Sequence, residues 1–176
     1  MSQEAKPALT GKERYFDDTD IIVSKTDTKG WITYANETFL DIADYTEREV
    51  VGKPHSVIRH PDMPRCIFKL LWDKVQAGQE LFAYVVNRTK FGDHYWVLAH
   101  VTPSIGKDGE ILGYHSNRRV PNRDIVSKVI TPLYRQLAEA EQRAGNPKEG
   151  LAASVAMLDG ILKEKGTDYD KWVLTL

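Results

Sequence analysis

Cysteine and long apolar runs are nearly absent from this sequence. Cys66 is the single cysteine among 176 residues, so neither an internal disulfide nor a zinc site made of several cysteines can form. The longest apolar runs have only a few residues, whereas a membrane-spanning helix needs roughly 20. Residues 1–12 also lack the apolar core of a signal peptide. We therefore expect a cytoplasmic protein that does not insert into a membrane.

Excess charge and catalytic motifs are lacking as well. The 24 Lys and Arg residues nearly balance the 25 Asp and Glu residues, and the net charge is −1. Nucleic-acid binding requires clustered Lys and Arg that neutralise phosphates, and no such cluster is visible. The sequence has no nucleophile elbow, no phosphate-binding glycine loop and no metal-ligand spacing. We therefore expect no nucleic-acid partner, no metal site and no enzymatic activity.

What the sequence does contain is a series of short strand patterns separated by turns that carry glycine. The pattern predicts strands over 21–27, 31–36, 81–87, 94–104 and 111–119. It predicts short helices over 36–43 and 46–52, and a longer amphipathic helix over 64–77. Two strands, several helices and a three-stranded meander indicate an α+β fold. We expect a roughly five-stranded antiparallel sheet with short helices on one face.

The chain divides into three predicted segments: a flexible N-terminal segment over 1–17, a folded domain over 18–120 and a C-terminal helical extension over 121–176. In the extension, residues 124–144 have a helical pattern that Pro132 should divide or kink. Residues 150–165 form a second helical pattern, and an aromatic tail over 169–174 follows. Such helices fit either a cap on the sheet or a surface for partner docking or dimerisation, and amphipathicity alone does not separate these roles.

A group of polar and aromatic residues interrupts the apolar, strand-like context. It consists of Arg59-His60-Pro61-Asp62-Met63-Pro64, then Asn87-Arg88, then Gly92-Asp93-His94-Tyr95-Trp96. A chain that only had to fold would place Val and Leu at most of these positions. The density of such residues indicates a pocket that holds a polar, flat ligand.

The order of elements resembles the PAS sensory fold, and several strings resemble the bacterial aerotaxis (energy taxis) receptor family. The matching strings lie at 33–39, 52–55, 59–64 and 92–97, together with Asn87-Arg88 and the pair Phe68 and Trp72. The resemblance extends over about residues 18–120. Its most specific parts are the strings at 59–64 and 92–97.

That family binds FAD non-covalently and senses its redox state, so the resemblance implies FAD as the cofactor. By motif it places eight residues at or near the cofactor: Asn36, Phe39, Arg59, His60, Asp62, Trp72, Asn87 and Tyr95. Their chemistry suits a flavin, because aromatic rings supply flat walls, an amide both donates and accepts, and a guanidinium binds phosphate or carbonyl oxygen. The resemblance further implies a redox or oxygen sensor that signals to a separate membrane-bound methyl-accepting transducer. A homodimer is compatible with it.

Some of these residues also have ordinary structural interpretations. Trp72 lies on an apolar helix stripe and can belong to the core. Asp62 can cap the helix that follows it. Asn87 can close the turn after its strand by side-chain hydrogen bonding.

The cofactor has alternatives too. The family usually has Trp and Lys where this chain has Leu81 and Val86, so the domain can be a protein-interaction PAS domain without a cofactor. Haem is a further alternative, with five candidate ligands: His55, His60, His94, His100 and His115. Light-receptor chemistry at Cys66 is not expected, because this cysteine starts a helix in a sequence unlike the light-sensing motif.

Overall fold

The computed structural model describes residues 7–176, and the five predicted strands are present. Their bounds are β1 Ile22–Thr26, β2 Ile32–Ala35, β3 Leu81–Arg88, β4 His94–Ile105 and β5 Ile111–Arg119. Neighbouring strands are antiparallel, and their order across the sheet is β2-β1-β5-β4-β3. The prediction of a five-stranded antiparallel sheet is confirmed.

Three helices and a 3₁₀ turn connect β2 to β3. They are α1 Glu37–Ala43, α2 Glu47–Val50, the 3₁₀ turn His55–Ile58 and α3 Arg65–Gln76. Local sequence sets where they begin. Asn36 Oδ1 accepts the N–H of Phe39 and caps α1, whereas Thr46 and Glu49 form the predicted capping box of α2.

A large part of the apolar core lies between these helices and one face of the sheet. Its fully buried members include Ile22, Phe39, Ile58, Ile67 and Val97, and burial of each such side chain stabilises the fold by about 1.5–3 kcal/mol. A smaller cluster of Val75, Val101 and Tyr114 lies apart from the main core. The cavity described below has lining residues from both clusters.

The N-terminal segment, expected to be flexible over 1–17, is packed against the sheet where the structure describes it; residues 1–6 lie outside the described residues. Thr10 donates its N–H to Gly92 O, and Arg14 donates to His94 O. Gly92 has φ +98°, and a Cβ there would lie 2.1 Å from Ala8 O. Only glycine permits so close an approach in this conformation. Main-chain hydrogen bonds therefore anchor residues 10–14 beside the β3–β4 turn.

The C-terminal extension is helical, as predicted. It comprises α4 Arg123–Ile125, a π-helical turn Val126–Ile130, α5 Thr131–Arg143, α6 Pro147–Lys165 and α7 Tyr169–Leu174. The helical run continues through Pro132 instead of dividing there. Thr131 donates its N–H to Val126 O, five residues back, and this wide turn accommodates a proline that has no N–H of its own. Residues 169–174, expected as a tail, form a short helix.

The extension covers the edge strand β3 and reaches the sheet face opposite α1–α3. Strand residues alternate between faces, so Tyr84 and Trp96 point away from the face that carries Val85 and Val97. The rings of Tyr134 and Trp96 lie 6.1 Å apart, and the Tyr134 hydroxyl donates to Tyr84 O at 2.6 Å. The extension thus caps the sheet, and a docking or dimerisation role for it stays a prediction.

Candidate functional site

A cavity of about 280 Å³ lies between α3 and the sheet, beside the 3₁₀ turn. α3 contributes four side chains to it: Phe68, Leu71, Trp72 and Val75. The sheet contributes side chains from β1, β3, β4 and β5. Residues two apart in a strand share a face, and accordingly Tyr114, Ser116 and Arg118 of β5 all line the cavity.

The α3 side of the cavity is flat and apolar. The Trp72 ring meets Tyr114 edge to face, with centroids 5.3 Å apart and an interplanar angle of 83°. Gly30 has φ +81°, and a Cβ there would come within 3.0 Å of the Trp72 ring, so glycine lets the β1–β2 turn close against the indole. Such surfaces suit a planar aromatic ligand.

A buried cation occupies the opposite, polar side. Arg118 is 3% exposed and donates through Nη2 to His55 Nε2 at 2.7 Å and to Ser24 Oγ at 2.8 Å. Its guanidinium also lies 5.6 Å from the Phe39 ring. No carboxylate within residues 7–176 forms an ion pair with Arg118. Burial therefore lowers the pKa of Arg118 to about 10.

His55 is held neutral by the same environment. Burial, and then the positive charge of Arg118, lower the pKa of His55 to about 3. Because Nε2 accepts a hydrogen bond from Arg118, the proton of the neutral ring resides on Nδ1. His55 thus orients the guanidinium without adding a second positive charge.

Three polar atoms on residues that line the cavity lack hydrogen-bond partners. They are Asn87 Nδ2, Ser116 Oγ and Arg118 Nη1, all buried, and no atom of residues 7–176 pairs with them. A buried polar group without a partner costs about 1–3 kcal/mol, and native structures contain few of them. Three of them around one cavity indicate a site that is completed by a polar ligand.

Arg59, Trp72 and Asn87 are the predicted site residues that line this cavity. The main chain of Arg59 pairs with Asn87 in an isolated antiparallel bridge, which attaches the loop over 59–64 to the edge of β3. The Arg59 guanidinium lies 4.5 Å from the Phe68 ring. Trp72 is therefore a cavity wall, and the Asn87 amide nitrogen makes no hydrogen bond to the turn after β3.

Asn36, Phe39 and Tyr95 lie outside the lining. The Asn36 side chain binds main-chain atoms only, accepting from Val23 N and Phe39 N and donating to Ile21 O. Phe39 is a fully buried core residue. Tyr95 is fully buried beside Asn87 in the β3–β4 ladder, and its hydroxyl has no partner within residues 7–176.

His60 and Asp62 also lie outside the lining. His60 is buried, and its Nδ1 accepts the N–H of Asp62 at 3.2 Å. Burial lowers the pKa of this histidine. The Asp62 side chain is 83% exposed. Asp62 does not cap α3, because the main-chain donors at the start of that helix bind Glu141 of α5 instead.

Polar residues beyond the predicted set also line the cavity, and four of them carry its buried polar side: Ser24, His55, Ser116 and Arg118. From the sequence, His55 is a candidate ligand for haem only. The other three follow the alternation of β1 and β5, but β5 carries polar residues on both faces, so the pattern does not reveal which face is buried. Only the pairing of β1 with β5 shows that Ser24, Ser116 and Arg118 lie on the same face of the sheet.

The two departures from the aerotaxis pattern lie outside the lining. Val86 pairs with Trp96 on the face that points away from the cavity. Leu81 is fully buried and pairs with Val101, which does line the cavity. Cys66 is buried outside the cavity, and burial raises the pKa of its thiol to about 11. This thiol is therefore uncharged at neutral pH.

Two further features concern the described residues as a whole. Within residues 7–176 there is no group of three or more His, Cys, Asp or Glu side chains that could hold a metal ion. None of the helices in this range is long and apolar enough to cross a membrane.

Comparison with known proteins agrees with this architecture. Residues 32–118 match the family described as PAS fold. The aerotaxis receptor of Escherichia coli (strain K12) is 39% identical over 132 residues, which cover 74% of this chain and 26% of the receptor. Phototropin-2 of Oryza sativa subsp. japonica is 29% identical over 114 residues, which cover 65% of this chain and 12% of that protein.

A solved structure supports the same fold. A light-oxygen-voltage domain studied with a flavin analogue superposes with a TM-score of 0.56 at 16% identity, covering 66% of this chain and 87% of that domain. Residues 32–118 therefore form a domain of the PAS fold family, and the solved structure shares its fold. Within that family it is related to the aerotaxis receptor, of which it spans about a quarter of the length.

Proposed function

We propose that this protein is a cytoplasmic redox sensor that binds FAD non-covalently in the cavity of its PAS domain. The observation that carries the proposal is a buried guanidinium with no carboxylate partner in the described part of the chain, next to two further unpaired polar groups and opposite an aromatic wall. A flavin presents this combination of a flat apolar ring and a polar edge. Relatedness to the aerotaxis receptor supports the same cofactor.

The lining residues fit the flavin ring. Trp72 and Phe68 would contact its faces. The Asn87 amide and the free nitrogen of Arg118 would bind its polar edge, which relieves the cost of leaving these atoms unpaired. A volume of about 280 Å³ is near the lower limit of ligand sites and suits the ring rather than the whole dinucleotide. Arg59, at the margin of the same cavity, is suited to a phosphate.

When bound, FAD supplies reversible electron transfer, and Arg118 makes the site responsive to that transfer. A buried cation stabilises added negative charge, because the low dielectric strengthens the interaction. Neutral His55 keeps the guanidinium in place. Four of the remaining predicted residues would act from behind the lining: Asn36, Phe39, His60 and Tyr95. The exposed Asp62 would act only through the 59–64 loop to which it belongs. The proposed receiver of the redox signal is a separate membrane-bound methyl-accepting transducer. A homodimer of this protein is compatible with the proposal.

The alternatives are less well supported by the geometry. Among the five histidines, His55 alone lines the cavity, and its Nε2 already accepts a hydrogen bond from a cation. That arrangement disfavours a haem ligand. A cofactor-free interaction domain would be expected to fill the cavity with apolar side chains, which the unpaired polar atoms contradict.

The test is an absorption spectrum of the purified protein incubated with FAD and desalted. We expect bands at about 370 and 450 nm that bleach with dithionite. Asn87→Ala should weaken FAD retention, because it removes the unpaired amide from the cavity. Asn117→Ala is the matched control, since Asn117 is on β5 with its side chain on the other face of the sheet. A wild-type protein that retains no flavin would refute the proposal, and a band at about 400–420 nm would replace flavin with haem.

A further inference from the structure

One carboxylate of the C-terminal extension connects three helices. Glu141 of α5 accepts hydrogen bonds from Arg65 N at 2.8 Å and Cys66 N at 3.2 Å. It also accepts from Arg65 Nε at 3.0 Å and from Ser154 Oγ of α6 at 2.9 Å. The Glu141 side chain is only 10% exposed. We call this set of contacts the Glu141 bridge.

The Glu141 bridge replaces the cap that α3 lacks. The residue before α3 is Pro64, which provides no side-chain hydrogen bond to the first turn. The first N–H groups of a helix have no partner within the helix, and a carboxylate near them is favoured by the helix dipole. Glu141 therefore supplies from α5 what the local sequence of α3 does not.

The bridge acts on the elements that form the cavity. Arg65 directly follows the loop over 59–64, and α3 carries the wall residues Phe68 and Trp72. The negative charge of Glu141 also counteracts the lowering of the pKa of Arg59 that burial causes. The first turn of α3 also packs into the core through Cys66 and Ile67, and the Glu141 bridge adds the polar contacts that fix its main chain beside this loop and wall.

Close contacts of the α5–α6 hairpin hold the Glu141 carboxylate at the start of α3. A Cβ on Gly150 of α6 would lie 2.3 Å from Glu141 O, so the two helices touch at their main chains beside the bridge. Arg65 Nη2 donates to Pro147 O at the start of α6. Any displacement of the hairpin from α3 must therefore break the bridge and leave the first N–H groups of α3 without their carboxylate partner.

We propose that the α5–α6 hairpin regulates the cofactor site through the Glu141 bridge, so that the docked hairpin holds the 59–64 loop and α3 in the binding conformation. The inference rests on the proposed binding of FAD. Coupling of this kind is reciprocal: FAD tightens the docking of the hairpin, and a partner that displaces the hairpin weakens FAD binding.

Glu141→Gln in the full chain is the first test, because it keeps the size of the side chain and removes its charge. Glu139→Gln is the matched control, since Glu139 is on the same helix and its ion pair, with Arg143, is exposed. We expect the dissociation constant for FAD to rise about 10-fold in the first variant and to stay unchanged in the control. Gly150→Ala is a second perturbation, which separates α5 from α6 without altering a bridge residue.

Hydrogen exchange of α5 and α6 with and without FAD separates regulation from simple destabilisation. In the wild type, FAD should slow exchange in the hairpin, although no hairpin residue lines the cavity. In Glu141→Gln this FAD-dependent protection should be lost while the protein remains folded. If FAD affinity and FAD-dependent protection were as in the wild type in both Glu141→Gln and Gly150→Ala, this inference would be overturned while the proposed function would stand. Failure of the wild type to take up FAD would overturn the proposed function and this inference with it.

Discussion

Replacing Arg118 by Met should stabilise the cofactor-free protein while impairing the cofactor site. Burial lowers the pKa of Arg118 from 12.5 to about 10, and each pKa unit corresponds to about 1.4 kcal/mol. The charged side chain therefore costs about 3 kcal/mol in the folded state. The folded pKa lies below the unfolded one, so this cost is fully present at neutral pH and is relieved only above about pH 10.

Part of this gain is offset, because Arg118→Met removes hydrogen bonds to His55 and Ser24, worth about 1 kcal/mol each. The Ser24 hydroxyl lies 3.2 Å from His55 Nε2, so these two groups can pair with each other once the guanidinium is gone. Met has a similar volume and leaves no large void. The expected net effect is a stabilisation of about 1–2 kcal/mol, in line with replacements of other buried charges by apolar residues.

The assay is urea unfolding of FAD-free protein at pH 7, with Arg119→Met as the matched control. Arg119 is exposed on the adjacent position of β5, so its replacement should change the free energy of unfolding by less than about 0.5 kcal/mol. In FAD-loaded protein, Arg118→Met should lower the midpoint potential, by about 30 mV for each 1.4 kcal/mol of lost charge stabilisation. A destabilisation above about 1 kcal/mol, with unchanged potential, would show that Arg118 serves the fold and not a ligand.

Three further predictions concern neighbouring features of the fold. His55→Gln should reduce the loss of stability at acid pH. The contribution of neutral His55 to the free energy of unfolding is fully present above pH 6.5 and is lost towards pH 3, with about 2 kcal/mol already lost at pH 5. Urea unfolding at several pH values measures this loss in both proteins. Gly92→Ala should lower the free energy of unfolding by about 2 kcal/mol more than Gly109→Ala. Both glycines have positive φ, but of the two only Gly92 faces a main-chain oxygen. Calorimetry of both variants checks this, and equal losses would refute the anchoring of the N-terminal segment. Tyr134→Phe should lower the free energy of unfolding by about 1–2 kcal/mol, because it removes the hydrogen bonds to Tyr84 and Tyr169. A melting temperature equal to that of the wild type would contradict this prediction.

The sheet and the helices between β2 and β3 could be predicted because each has a local signal. Strand alternation, glycine turns and the capping box of Thr46 and Glu49 depend on residues that are close in sequence. Pro132 shows where local reasoning stops. A proline removes one main-chain donor, but whether the helix breaks or widens depends on the packing of α5 against β3 and β4, which no short window contains.

The candidate site was only partly predictable for the same reason. Arg59, Trp72 and Asn87 belong to strings with a recognisable resemblance, and they do line the cavity. Arg118 and Ser24 are distant in sequence, and only the pairing of β1 with β5 places them on one face. Glu141 caps a helix that begins 76 residues earlier in the chain, so its role follows from tertiary packing alone.

The polarity of the cavity is the strongest argument that the site serves a ligand. A packing defect in a core would be surrounded by apolar side chains, and each buried polar group near it would have a partner. Here one sheet face instead presents Ser116, Arg118 and Asn87 with unpaired atoms, while α3 opposite them presents rings. The unpaired atoms reduce the stability of the empty fold, and a ligand that binds them recovers that free energy. Folding and ligand binding are therefore expected to be linked, and FAD should raise the unfolding midpoint of the wild type by more than that of Arg118→Met.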